Sequence, residues 1–222
     1  MARVRERIAD AGGNPESVRL VAVTKGQPVE AVEAALAAGL ADLGESYPQE
    51  LLAKAEALEE RDGAHGHGRT TRVRWHCIGR LQRNKVRQVA PLVHLWQSID
   101  RLSLAAEVAR YAPGADVLVQ VNVTGAEQQG GCEPARVPAV VEGCTDLGLV
   151  VRGLMAIGAH GPAEAARPGF RTVRDLADRL GLPERSMGMS GDLEVAVGEG
   201  ATIVRVGTAL FSPRGGSAAM GN

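Results

Sequence analysis

Aromatic residues are scarce in this chain: two Trp, two Tyr and two Phe make up 3% of 222 positions. A surface that stacks bases needs several such rings, so nothing here reads as a nucleic-acid platform. Cysteine is scarce as well. Cys77, Cys132 and Cys144 are widely separated and form no C-x-x-C pair, which excludes a disulfide framework and a cysteine-based structural zinc site. Reduced thiols and a cytoplasmic location are the expectation. Neither sign of charge dominates, since 25 Lys and Arg against 26 Asp and Glu leave a formal net charge of -1. No polyanionic partner, neither nucleic acid nor an anionic membrane, is implied. No apolar run has the length of a membrane span, and the charged opening MARVRERIAD lacks the apolar centre of a signal peptide.

What the chain does have is alternation. Eight apolar or β-branched runs recur: VRLVAVT (18–24), LADLGE (40–45), VRWHCIG (73–79), HLWQSI (94–99), DVLVQVNV (116–123), LVVRGLMAIG (149–158), RSMGMS (185–190) and ATIVRVGT (201–208). Helical period fills the intervals. Val29, Val32 and Leu36 fall on one stripe and Leu51, Ala55 and Leu58 on another, with Glu and Lys on the opposite side. Pro28 suits the first turn of a helix and Gly39 a left-handed cap after it. Strand and helix alternating eight times favour an α/β fold, a single closed (β/α)8 barrel of the TIM type, over an open doubly wound sheet. The barrel is expected over residues 1–214, with a flexible tail at 215–222. RDGAHGHGRTTR (61–72) and TGAEQQGGCEP (124–134) read as loops.

In such a barrel the active site lies at the C-terminal ends of the strands, so a polar residue that ends an apolar strand is informative. Lys25 ends VRLVAVTK and shares a side of the strand with Val21 and Val23. In a partly desolvated mouth its amine becomes a Schiff-base nucleophile; alternatively it is a surface lysine with its stem over apolar surface. MGMSGD (187–192) and VGT (206–208) bring Gly188, Ser190, Gly191, Gly207 and Thr208 to the seventh and eighth strand ends, where barrels often hold phosphate. Ordinary capping loops are the plainer reading. Arg205, inside an apolar strand, needs an acceptor: a bound ligand, or an acidic residue such as Glu45. His76 reads as a hydrogen-bonded core histidine and Cys77 as an apolar filler. The basic segment RLQRNKVR (80–87) reads as a solvated helix face, and the H-x-H of GAHGHG lacks a third metal ligand.

Six stretches, in order, resemble the motifs of one family: VAVTK, GESYPQE, WHCIGRLQRNK, RGLMAI, MGMSGDLEVAV and VRVGTALF. They are similar to the pyridoxal phosphate homeostasis proteins, single-domain relatives of the alanine racemase barrel, from about the first strand to SPRG. The resemblance implies that Lys25 carries pyridoxal 5'-phosphate as an internal aldimine. It implies further that Ser190, Gly207 and Thr208 hold the phosphate, that Arg205 lies beside the pyridine nitrogen, and that Ser46, His76, Met155 and Met189 belong to the cofactor site. Three positions depart from the family: Ser46 replaces Asn, Cys77 replaces Phe, and Gln129 stands near the place of a lysine before the Gly pair.

An arginine accepts no proton, so Arg205 at the pyridine nitrogen keeps that nitrogen unprotonated and the cofactor a poor electron sink. The racemases of this fold carry a further C-terminal β-domain, for which residues are not expected here. The resemblance therefore implies a monomeric, cytoplasmic protein that buffers pyridoxal phosphate or delivers it to apoenzymes, with no robust catalysis of its own. The alternative is a racemase or decarboxylase of the same fold. An adaptor built on RLQRNKVR accounts for none of Lys25, MGMSGD or VGT.

Overall fold

The computed structural model describes residues 1–65 and 73–211. After α1 (Ala2–Asp10), strands β1 (Arg19–Val23), β2 (Asp42–Glu45), β3 (Arg74–Cys77), β4 (Val93–Ile99), β5 (Asp116–Val121), β6 (Val150–Ala156), β7 (Glu184–Ser186) and β8 (Ile203–Val206) alternate with helices. These are α2 (Val29–Ala37), α3 (Pro48–His65), α4 (Arg83–Val89), α5 (Leu102–Tyr111), α6 (Val137–Asp146), α7 (Arg167–Arg179) and α8 (Leu193–Gly198), with a short α9 (Thr208–Phe211) after the last strand. All strand pairs are parallel, and β8 returns to pair with β1, closing the barrel. The expected fold is the one observed.

Strand alternation sorts the apolar residues into two layers. Leu20, Ala22, Leu43, Trp75, Trp96, Val117, Leu154 and Val204 face outward onto the helices and join Phe170 of α7 in the main core. Inside the barrel lies a small second cluster of Val21, Leu95, Leu118, Met155 and Ile203. Two-sided burial explains why the strands read as continuous apolar runs.

Helix boundaries follow local chemistry. Pro28 has an extended backbone and precedes α2 rather than sitting inside its first turn. Gly39 (φ +82°) ends it as expected, with Gly39 N–H on Leu36 O and Leu40 N–H on Ala35 O, both 2.9 Å. The loop expected from residue 61 begins later, because α3 runs to His65; Arg61 extends it with bonds to Glu30 and Glu33 of α2 at 2.6 and 2.7 Å. Segment 66–72, including His67, lies outside the described residues, as do the boundary at 214 and the tail 215–222. The seventh strand is shorter than RSMGMS, ending at Ser186, since Gly188 turns the chain at φ +93°. Lys54, expected on the exposed side of α3, is buried at 6% exposure.

Gly153 is where β6 and β7 approach most demandingly: a Cβ there would lie 1.9 Å from Glu184 O. Gly153→Ala must push the two strands apart, and overpacking of this kind costs about 2 kcal/mol. Urea unfolding of the variant should show that loss as a lower midpoint with an unchanged slope.

Candidate functional site

The β8–β1 junction brings some of the candidate residues together. Val21 is opposite Arg205 and Ala22 opposite Val206, and a Cβ on Gly207 would stand 3.2 Å from Val23 O. Lys25 therefore emerges next to the start of α9. The loop after β7 joins the same corner, because Ala209 N–H donates to Ser190 Oγ at 3.3 Å. Arg7 of α1 braces that loop, donating to Ser190 O at 3.0 Å while pairing with Glu194. Asp192 closes it by accepting Met189 N–H at 2.6 Å. Ser190 and Gly207 are half-buried, and Thr208 is exposed. The loop after β7 and the start of α9 thus meet through Ser190 and Ala209, and Gly207 is next to Val23, two residues before Lys25.

Lys25 itself is exposed, so the partly desolvated position expected for it is not what the structure shows. It projects past the end of the strand into solvent, and among the described residues no hydrogen bond or ion pair engages its ammonium. Ser46 follows β2 at the same mouth and is half-buried. Met189, 37% exposed, lines a cavity of about 180 Å3 with Gly191, Asp192 and His160. Met155 is fully buried in the inner apolar cluster, beneath the mouth. A cavity of about 730 Å3 at the ends of β3, β4 and β5, lined by Arg80, Asp100, Cys132 and Arg136, includes none of the candidate residues.

Arg205 is 4% exposed and points into the barrel. Its partner is not Glu45. That carboxylate faces the helix layer, where Lys54 Nζ and Thr24 Oγ1 both donate to Oε1 at 2.6 Å; alternation along β2 puts Glu45 on the opposite side from Gly44. Arg205 instead donates to Ser186 Oγ at 2.6 Å and to Ala156 O at 2.8 Å. Burial pushes its pKa down to about 10, against the pull of the Asp192 carboxylate. The guanidinium remains a cation, and among the described residues no carboxylate is bonded to it.

From Arg205 a chain of polar groups crosses the interior. Ser186 Oγ lies 2.6 Å from Gln97 Oε1, Gln97 Nε2 lies 2.7 Å from His76 Nδ1, and His76 Nε2 lies 2.9 Å from Asp42 Oδ1. The direction of every proton is fixed by the ends, since Arg205 only donates and an ionised Asp42 only accepts. Ser186 accepts from Arg205 and donates to Gln97, Gln97 donates to Nδ1, and His76 carries its proton on Nε2. Burial lowers the His76 pKa despite Asp42, consistent with a neutral ring. Burial pushes Asp42 up, but its bonds to Arg74 and His76 prevail and hold it below the ordinary carboxylate range. Both ring nitrogens of His76 are thereby occupied, leaving neither for a ligand. Ser186 and Gln97 escaped the sequence reading; a polar residue at alternate positions of an otherwise apolar strand was the available signal.

The cysteines are all free and buried, and burial raises Cys77 to about 12 and Cys132 and Cys144 to about 11, as fits fillers. Among the described residues no group of acidic, His and Cys side chains is placed to hold a metal, and no helix is long and apolar enough to cross a membrane.

Comparison with known proteins agrees with this architecture. Residues 2–214 match the family model "Alanine racemase, N-terminal domain". The pyridoxal phosphate homeostasis protein of Pseudomonas aeruginosa is 42% identical over 96% of this chain and 92% of that protein, and that of Aquifex aeolicus 41% over 96% of each. The chain belongs to the pyridoxal phosphate homeostasis protein family. Among solved structures, PipY of Synechococcus elongatus with PLP bound superposes with a TM-score of 0.79 at 34% identity, covering 94% of this chain and 99% of that one. Family membership and barrel geometry thus coincide over nearly the whole chain.

The interior chain makes stability depend on pH through His76. Its folded pKa is depressed below the ordinary 6.5, so the unfolded chain binds more protons as pH falls below that value and stability is lost on acidification. Glu45, whose pKa burial raises above 4.5, acts in the opposite sense above that value. Comparison with His76→Asn separates the two. Between pH 6.5 and 5 the wild type should lose up to about 1.4 kcal/mol per pH unit more than this non-titrating variant, measured as unfolding free energy in urea.

Proposed function

We propose that this chain binds pyridoxal 5'-phosphate covalently as an imine of Lys25, and that it buffers the cofactor or hands it to apoenzymes as a monomer without robust catalysis. The observation that carries the reading is Lys25, an unengaged amine beside two hydroxyl- and glycine-bearing loops. The neutral amine adds its lone pair to the aldehyde carbon, and the aldehyde oxygen leaves as water. Bound in this way, the cofactor supplies an electron-withdrawing ring to any amine that reaches it.

The donor set fits an anionic, aromatic aldehyde. Ser190 and Thr208 offer hydroxyl donors, and at Gly191 a Cβ would meet no atom within 4 Å, so space beside the loop is open. Arg205, cationic and without a bonded carboxylate, suits a pyridine nitrogen that accepts a hydrogen bond. Because it only donates, it cannot stabilise a protonated ring nitrogen as a carboxylate does, and this favours holding over carbanion chemistry. The exposure of Lys25 favours release, since an incoming amine can reach the imine carbon and displace it. All the residues invoked come from a single chain.

The purified protein should be yellow, and borohydride should fix the cofactor to Lys25, located by peptide mass. Lys25→Ala should keep some cofactor but lose the imine absorbance; a wild type that stays colourless with added cofactor would sink the reading. Hydrogen bonds to a charged oxygen contribute roughly 1.5 to 3 kcal/mol, so Ser190→Ala or Thr208→Val should weaken retention about tenfold or more. The loaded protein should reactivate an apoenzyme that requires the cofactor while exchanging the Cα proton of alanine in deuterated water very slowly or not at all. Robust racemisation lost in Lys25→Ala would point to an enzyme instead.

A further inference from the structure

Lys25 lies two residues beyond the end of β1, so the strand ladder does not hold it. It is the corner of a turn closed by Gln27 N–H on Thr24 O at 2.9 Å, with Gly26 at φ +68°, a conformation that glycine takes without strain. Both residues flanking Lys25 are also tied to α3. Lys54 Nζ donates to Thr24 O at 2.7 Å, and Gly26 N–H donates to Glu50 Oε2 at 2.7 Å. Lys54 and Glu50, one helical turn apart, are themselves 3.3 Å apart, and the Lys54 ammonium is completed by Glu45 Oε1 at 2.6 Å.

The arrangement does more than stabilise the fold. A buried ion pair such as Lys54–Glu45, with side chains 8% and 0% exposed, is often no more stabilising than well-packed apolar side chains of similar volume. Apolar side chains, however, could not bind Thr24 O and Gly26 N–H. Burying Lys54 beside Glu45 costs desolvation, and Lys54 and Glu50 in return fix the two peptide units around one lysine.

We propose that Lys54 and Glu50 are positioning residues for Lys25: from α3 they lock the turn that carries the reactive amine, so that less freedom is lost when the imine forms. This rests on the reading that Lys25 carries the cofactor. With three acceptors on its ammonium, Lys54 is at the same time removed as a competing nucleophile.

The test compares pyridoxal 5'-phosphate with pyridoxine 5'-phosphate, which has the same ring and phosphate but an alcohol in place of the aldehyde and forms no imine. In Glu50→Ala, affinity for the aldehyde should fall by about fivefold while that for the alcohol and the apoprotein's thermal midpoint stay near wild type. Glu50→Gln, whose amide oxygen still accepts Gly26 N–H, should recover most of the loss. Lys54→Met leaves Glu45 unpaired and destabilises the fold, so its readout is the ratio of the two affinities, which should fall in the same direction. Equal losses for both ligands, or no loss for either, would overturn the positioning role. A wild type that binds both ligands equally and yields no borohydride adduct would count against the Lys25 imine itself.

Discussion

Closure of the sheet between its first and last strands is the constraint on which the rest depends. Val21 and Arg205 are neighbours only because β8 pairs with β1, although they are 184 residues apart in sequence. That pairing sets Lys25 beside the loop after β8, and the bond from Ala209 N–H to Ser190 Oγ then draws in the loop after β7. An open sheet would leave β1 and β8 at different places, and the lysine and the hydroxyl-bearing loops would have no common mouth. Gly207 reports the tightness of the junction, since a side chain there would press on the Val23 carbonyl.

A barrel this small must fill its own interior, and this one fills part of it with polar groups. Beside Val21, Leu95, Leu118, Met155 and Ile203 runs the chain from Arg205 to Asp42, with Arg205 opposite Val21, His76 opposite Leu95 and Ser186 opposite Met155. Buried polar groups are costly when any member lacks a partner. Here each link both satisfies its neighbour and fixes the neighbour's direction, so the interior specifies one arrangement where apolar filling would permit several. Ser186 is the hinge of the chain. It accepts from the arginine and donates to Gln97, a pairing only a hydroxyl at that point can make.

Fold and site were legible to different depths. The eight strands could be read because two-sided burial leaves continuous apolar runs, whereas alternation carried Lys25 onto a strand that ends at Val23 and so missed the turn in which it lies. The cofactor's identity came only through the resemblance, since no spacing of Lys, Ser and Gly distinguishes one phosphorylated aldehyde from another. Glu45 was misread as a possible partner for Arg205 because a strand-end position says nothing about which layer a side chain enters. Counting alternate residues from Gly44, whose missing Cβ would touch Val21 and Ile78, places Glu45 outside the barrel. Lys54 was misread because helical periodicity assigns a lysine to the solvent side. Its burial depends on Thr24 and Glu45 from two other segments as well as on the i,i+4 Glu50, and only the last belongs to a local pattern.

On the reading that Lys25 carries the cofactor, the contrast between these two lysines singles out one amine. Both belong to the region at the ends of β1 and β2, and both carry the same functional group. Lys54 is buried with its protons shared among a carbonyl and two carboxylates; to react it would have to give up all three bonds and leave Glu45 uncompensated in the helix layer, where Oε2 already has no partner. Among the described residues Lys25 makes no such bonds, and it stands in solvent, so attack by its amine would disrupt nothing among them. Reactivity therefore follows from what each amine must abandon. Under the proposal, the residue without a partner among the described ones takes the ligand, and the residue with three partners holds the first one's backbone in place.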